Sequence, residues 1–273
     1  MVPGKFGGEF SAYIKDGVDR LAFLRWYLGV NGVHTSVVEA GGTSNLVVDF
    51  PLSSYDPTFR IKTVVSHYDR FPGSPGANDN SAANFAIADF AIALAKNPGK
   101  NHNVRIVFTD CEERGIESVA LTGSYQFAPE LISGAWKSRD VFVFDGCGRG
   151  DVAVLGAPGK IPGSATLQAM VNKLRDVSLS LLQSSCEHWM ELPIPKSDNA
   201  AFIARGVPAV CFCVLPSDEA ELYAKSLSAR SIVLPRTWRN FHSAADNIGN
   251  VDEGAFLITE KILAEIAGLK LMA

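Results

Sequence analysis

VRIVFTDCEERG, residues 104–115, runs apolar for several positions and then stops at two adjacent glutamates, Glu112 and Glu113. A run so rich in Val, Ile and Phe reads as a strand covered on both faces, which happens when helices lie above and below a sheet. By count the doublet carries no weight. The chain has 29 acidic residues in 273, a composition that gives about three adjacent acidic pairs by chance. Three are present: Glu112-Glu113, Asp218-Glu219 and Asp252-Glu253. What sets the first apart is its place at the end of a buried strand.

Similar runs stand at 45–50 (NLVVDF), 60–66 (RIKTVVS), 141–145 (VFVFD) and 208–215 (PAVCFCVL), and they read as further strands. Residues 11–29 space Ile14, Val18, Leu21, Leu24 and Leu28 as one amphipathic opening helix, while 81–96 is apolar nearly all round, as in a buried crossover helix. Residues 164–182 place Leu167, Met170, Val171, Leu174, Val177 and Leu181 on one face behind Ser164 as N-cap. Ile258, Ile262, Ile266 and Leu269 mark a closing helix over 253–270. This alternation predicts an α/β fold: a three-layer sandwich with a mostly parallel, mixed central sheet and helices on both faces. Residues 1–273 read as one catalytic domain without repeats or a linker. Residues 216–240, with scattered charges and prolines, read as an inserted loop or lid.

Composition narrows the function. Hydrophobic residues make up 47% and charged ones 20%, enough apolar material for a large core. A net charge of -4 offers no polycationic face, so neither nucleic acid nor an anionic membrane is expected as a partner. The opening MVPGKFGGEF lacks the apolar run of a secretory signal, and no window approaches a membrane span. A cytoplasmic protein is the expectation. Five cysteines without paired-ligand spacing read as reduced thiols.

Open α/β sheets place their sites at the carboxyl ends of strands, where the loops diverge. Here the second predicted strand ends at SHYD with His67 and Asp69, the third at Glu112 and Glu113, and the fourth at Asp145. The loop PGANDNSAAN puts Asp79 just before the buried helix, and RNFHSAADN adds His242 and Asp246 ahead of the last one. So many carboxylates in one crevice repel one another unless something positive joins them. Arg70 and Arg114 are the bases close by in sequence. A pair of divalent cations resolves the conflict better, and imidazole with carboxylate is a ligand set suited to Zn²⁺, with Mn²⁺ or Co²⁺ as alternatives.

In ordered motifs, SHYDRFPGSPGANDN, FTDCEERG, VFDG, SDNAAFIARGVPA and FHSAADNIGNVD, the chain resembles the co-catalytic zinc peptidases of metallopeptidase family twenty-eight over roughly residues 45–270. That family includes bacterial leucyl aminopeptidases and glutaminyl cyclases. The resemblance implies the zinc-dependent exopeptidase fold and two Zn²⁺. It puts His67 and Asp145 on one ion, Glu113 and His242 on the other, and Asp79 between them. It implies Glu112 as general base, Asp69 orienting His67 from behind, a cis peptide between Asp79 and Asn80, and cleavage of the N-terminal bond of a peptide or small amino-acid-derived substrate.

The same residues also suit a glutaminyl cyclase, which works with one zinc and an acid trio that maps to Glu112, Asp145 and Asp198. A segment IESVALT inserted before Gly123 and Ser124 points the same way. A third reading, a non-catalytic scaffold of the same fold, is expected to have lost ligands, and none is missing. Phe241 stands where some aminopeptidases carry a tyrosine. Trp189, Phe202, Phe212 and Trp238 are candidates for lining a pocket. Cys111 and Cys147 lie beside proposed ligands, but neither has an evident histidine partner for a thiol mechanism.

Overall fold

The structure is a computed structural model that describes residues 7–97, 100–133 and 138–272. Its strands are β1 (Thr35–Ala40), β2 (Thr43–Val48), β3 (Ile61–His67), β4 (Val104–Thr109), β5 (Ser138–Phe144), β6 (Val152–Gly156), β7 (Trp189–Leu192) and β8 (Ala209–Leu215). The helices are α1 (Gly7–Tyr13), α2 (Arg20–Val30), α3 (Ala82–Ala95), α4 (Gly123–Ser133), α5 (Ala165–Ser185), α6 (Asp198–Ala204), α7 (Ser217–Ser228), α8 (Arg236–Asn240) and α9 (Glu253–Gly268). The strands form one eight-stranded sheet in the order β1-β2-β4-β3-β5-β8-β6-β7. Its centre, β4-β3-β5-β8, is parallel, and antiparallel pairs join at β1-β2, β2-β4 and β6-β8.

Side chains alternate across a strand, and here each face is buried by a different set of helices. Val64, Ile106, Phe108, Phe142, Phe144 and Phe212 join the core under α1, α2, α3, α5 and α9. Their neighbours Val65, Val107, Val141, Val143 and Cys211 join the core under α4 and α6. The continuous apolar runs of the sequence therefore have the origin inferred for them. Ser164 caps α5, its Oγ accepting from Leu167 N.

Three elements differ from the sequence expectation. The single helix over 11–29 is two, α1 and α2, because Gly17 turns the chain at φ +74° and Asp19 restarts it by accepting from Ala22 N at 2.9 Å. The segment 216–240, expected as an inserted loop or lid, holds α7 and α8, packed through Tyr223 and Trp238 with ring centroids 5.1 Å apart. β1, β6 and β7 have no long apolar run to mark them in the sequence. β1 is only half buried, and its hairpin to β2 turns on Gly41 and Gly42, both at positive φ as a two-residue turn needs. No helix among the described residues is long and apolar enough to cross a membrane.

Away from the carboxyl ends of the strands, His102 supplies a pH-sensitive point. Its buried ring accepts from Val104 N at Nδ1, 3.0 Å away, and lies edge-on to Phe50. Burial, helped by nearby Lys62, lowers its pKa to about 4. An imidazole whose folded pKa lies below its unfolded value keeps its full contribution above pH 6.5 and loses it as pH falls toward 4. Allowing for solvent screening, the loss should be about 2 kcal/mol. His102→Asn keeps an acceptor without a titrating group, so the difference between wild-type and variant unfolding free energies should shrink over that range. A constant difference would refute the assignment.

Candidate functional site

β3, β4 and β5 all end at one edge of the sheet, and their ends carry the chemistry. His67 is the last residue of β3, the 3₁₀ turn Glu112–Ile116 follows β4, and Asp145 follows β5. Cys111, in the left-handed region at φ +56°, breaks strand alternation between Thr109 and the glutamates. That break lets two consecutive carboxylates serve one crevice, which an unbroken strand forbids. His242, also left-handed at φ +58°, arrives from the turn after α8.

Asp79 lies at the centre. Its Oδ1 is 3.2 Å from His67 Nε2, and its Oδ2 is 3.3 Å from His242 Nε2. On one side His67 Nε2 is 3.7 Å from Asp145 Oδ1; on the other His242 Nε2 is 2.9 Å from Glu113 Oε2. Potential ligand atoms of His67, Asp79 and Glu113 all fall within 4.8 Å of one another. The five residues read from sequence as metal ligands are thus brought together, in two groups sharing one carboxylate.

Their hydrogen bonding is incomplete in a telling way. Both oxygens of Glu113, Oδ1 of Asp145 and both ring nitrogens of His67 are buried and, apart from these ion-pair approaches to one another, make no aligned hydrogen bond. Buried polar groups are ordinarily satisfied, so a cluster of orphaned oxygen and nitrogen donors facing one space fits a hard or borderline divalent cation. The charges agree. Burial opposes a charged His67, yet Asp145, Asp69 and Asp79 outweigh it and hold its pKa well above the ordinary value. Asp79 and Glu113 raise His242 to about 10. Two imidazolium charges thereby stand in for the positive charge that the carboxylates require.

The surroundings fix this geometry from three directions. Asp69 lies 3.3 Å from His67 Nδ1, and its carboxylate also accepts from the backbone N–H of Glu112 and Glu113, joining the ends of β3 and β4. Asp246 accepts from Asn78 N at 2.8 Å and Asp79 N at 3.0 Å, so it is structural and holds the turn that carries Asp79. Asn80 donates to Phe144 O at 2.8 Å, and the Asp79-Asn80 peptide is cis. Gly76, at φ +61°, has no room for a side chain, since a Cβ there would come within 2.6 Å of Asp79 O. Phe71 stacks on His242 with ring centroids 4.7 Å apart.

Glu112 stands outside both ligand groups. Burial raises its pKa well above the ordinary carboxylate value, and the charges of Asp145, Asp198 and Asp79 raise it further. Asp198, at the start of α6, is buried and pushed up to about 6, with Thr109 Oγ1 donating to it at 2.5 Å. The acids open onto a cleft of about 800 Å³ lined by Ile116, Val119, Pro195, Ala200, Trp238 and Phe241 among others. Trp238 is therefore a lining residue. Phe202 and Phe212 are fully buried in the core, and Trp189 lies on β7 away from the cleft. Cys147 donates to Phe212 O, and burial raises its pKa above the ordinary thiol range. Cys111 is pushed up to about 11, so neither thiol is poised to react.

The two bases close by in sequence do not neutralise the acids. Arg114 is exposed, and Arg70 reaches back to Asp16 and Ile14 O. The buried base is Arg20, far upstream at the first position of α2. Its signals in the sequence were slight: the N-cap Asp19 before it, and a cation placed where the helix dipole disfavours one.

The family model described as "Peptidase family M28" matches residues 45–267. No curated protein matches the chain. Among solved structures, the Legionella pneumophila LapA aminopeptidase superposes with a TM-score of 0.65 at 16% identity, covering 95% of this chain and 68% of that one. A Zn-dependent exopeptidase from Parabacteroides distasonis gives 0.66 at 14% identity, covering 98% and 100%. The glutaminyl cyclase of Porphyromonas gingivalis gives 0.65 at 15% identity, covering 95% and 92%. At such identities the likeness is one of fold.

Proposed function

We propose that this chain, which belongs to peptidase family M28, is a zinc-dependent aminopeptidase that removes the first residue of peptides. The observation that carries the reading is Asp79, whose two oxygens each face a different imidazole at 3.2 and 3.3 Å. His67 and Asp145 would hold one zinc, His242 and Glu113 the other, with Asp79 shared. Zinc in that position polarises a scissile carbonyl and acidifies the water beside it.

The chain's own residues do the rest. Glu112, unligated and with a raised proton affinity, takes the proton of the attacking water and returns it to the departing amine. Glu112 and Asp145, both lining the cleft, receive the free α-amine of the substrate. The wall of Ile116, Val119, Trp238 and Phe241 receives its first side chain.

Aminoacyl-anilides and short peptides, assayed with and without chelator, test this. Release of the N-terminal residue that stops on chelation and returns with zinc is expected. A zinc-loaded protein that cleaves none of them would sink the reading. One observation favours a second: Asp198, pushed up to about 6 beside Glu112, completes the acid trio of a glutaminyl cyclase. Ammonia released from an N-terminal glutaminyl peptide without chain cleavage would favour that activity.

A further inference from the structure

Arg20 lies outside the residues matched by the family model, yet its guanidinium is buried against the loop that links His67 to α3. Nη1 donates to Tyr68 O at 3.2 Å and Asp69 O at 3.3 Å, at the start of that loop. Nη2 donates to Pro75 O at 2.8 Å, Gly76 O at 3.4 Å and Ser81 Oγ at 3.0 Å, at its end. The Tyr13 ring lies under the guanidinium at 4.7 Å. One planar fork thus bolts together the two arms that carry Asp69 and Asp79.

The placement is costly. A cation at the first position of a helix opposes the helix dipole, and burying a charge needs many hydrogen bonds to offset lost hydration. Five acceptors meet that need, and three of them, the carbonyls of Pro75 and Gly76 and the hydroxyl of Ser81, belong to the Asp79 turn. We infer that Arg20 is a positioning residue of the metal centre: α1 and α2 hold Asp79 in ligand geometry, and Asp69 in place behind His67, through it. This rests on the zinc-site reading above.

Charge and geometry make opposite forecasts. As a mere nearby cation Arg20 repels zinc, so its removal would tighten binding. As the clamp of the loop it preorganises the ligands, so its removal weakens binding, by about 10–100-fold for outer-sphere partners of this kind. The inference commits to the second.

The test measures zinc affinity by competition with a chromophoric chelator for wild type, Arg20→Met, Arg20→Lys and Lys62→Met, well below each apo-protein's unfolding temperature. Lys62 is the matched control. It is a buried cation at the opposite end of β3, whose Nζ donates to Ala267 O and Leu269 O. Arg20→Met should bind zinc about 10–100-fold more weakly and alter the visible spectrum of the Co²⁺-loaded protein. Arg20→Lys should fall between it and the wild type, because three donors cannot span five acceptors. Lys62→Met should lose stability but neither affinity nor spectrum.

Wild-type affinity or tighter in whichever Arg20 variant folds overturns the inference, as does an equal loss in Lys62→Met. A wild-type protein that binds no zinc overturns the metal-centre reading itself, and the two failures are thereby distinct.

Discussion

Glu112→Gln should lower kcat by about 10²–10⁴-fold while zinc content stays at the wild-type value. The side chain is nearly isosteric, so the shape of the cleft is kept, but an amide cannot accept the proton of the attacking water. The neighbours of Glu112 make a further, less obvious forecast. Burial and then Asp145, Asp198 and Asp79 raise its pKa, with only the His67 charge opposing them. A group whose charged form is this disfavoured contributes repulsion when ionised. In the metal-free protein, replacing it with a neutral amide should leave thermal stability unchanged or raise it, the reverse of the usual effect of a buried substitution. Metal analysis, progress curves and a melting curve on one preparation decide the matter. Loss of zinc together with activity would make Glu112 a ligand and remove its assignment as base.

What could be read from the sequence divides along physical lines. Strands covered on both faces announce themselves as apolar runs, so β3, β4, β5 and β8, which carry or flank the site, were legible. Acids and imidazoles at their carboxyl ends were legible for the same reason, since a charge that terminates an apolar run needs a partner. What failed to register were features whose cause is tertiary. β1 and β7 are only partly buried and owe their pairing to neighbours, and β6, apolar and buried, is only five residues long and so makes a short run. Arg20 sits in an amphipathic helix like any surface arginine, and only the loop folded over it shows that it is buried. Phe71 is an ordinary loop aromatic until His242 arrives to stack on it. The 216–240 segment misled because its prolines suggest irregular structure, whereas Pro216 and Pro235 stand immediately before α7 and α8, where the missing N–H costs nothing.

Removing metal should be felt most in protons. In the metal-free protein His242 is held at about 10 by Asp79 and Glu113. His67 is held well above its ordinary value because Asp145, Asp69 and Asp79 overcome the opposing effect of burial. Both imidazoles therefore carry a proton at pH 7, on nitrogens that a cation must occupy. Loading both zincs has to expel about two protons, about one per ion, so the affinity for each ion should rise about tenfold per pH unit between pH 6 and 8, and the overall constant for both about hundredfold. Glu112 and Glu113, both raised chiefly by burial, can add to that number but not reduce it. Titration calorimetry in buffers of different ionisation enthalpy counts the protons directly. The same linkage sets the thermal effect: zinc at about a thousand times its dissociation constant adds about 4 kcal/mol, so chelation should lower Tm by about 8–16 °C for a domain near this size. Zinc that binds without releasing protons would mean that His67 and His242 do not bind it, and the two-imidazole centre built around Asp79 would have to be abandoned.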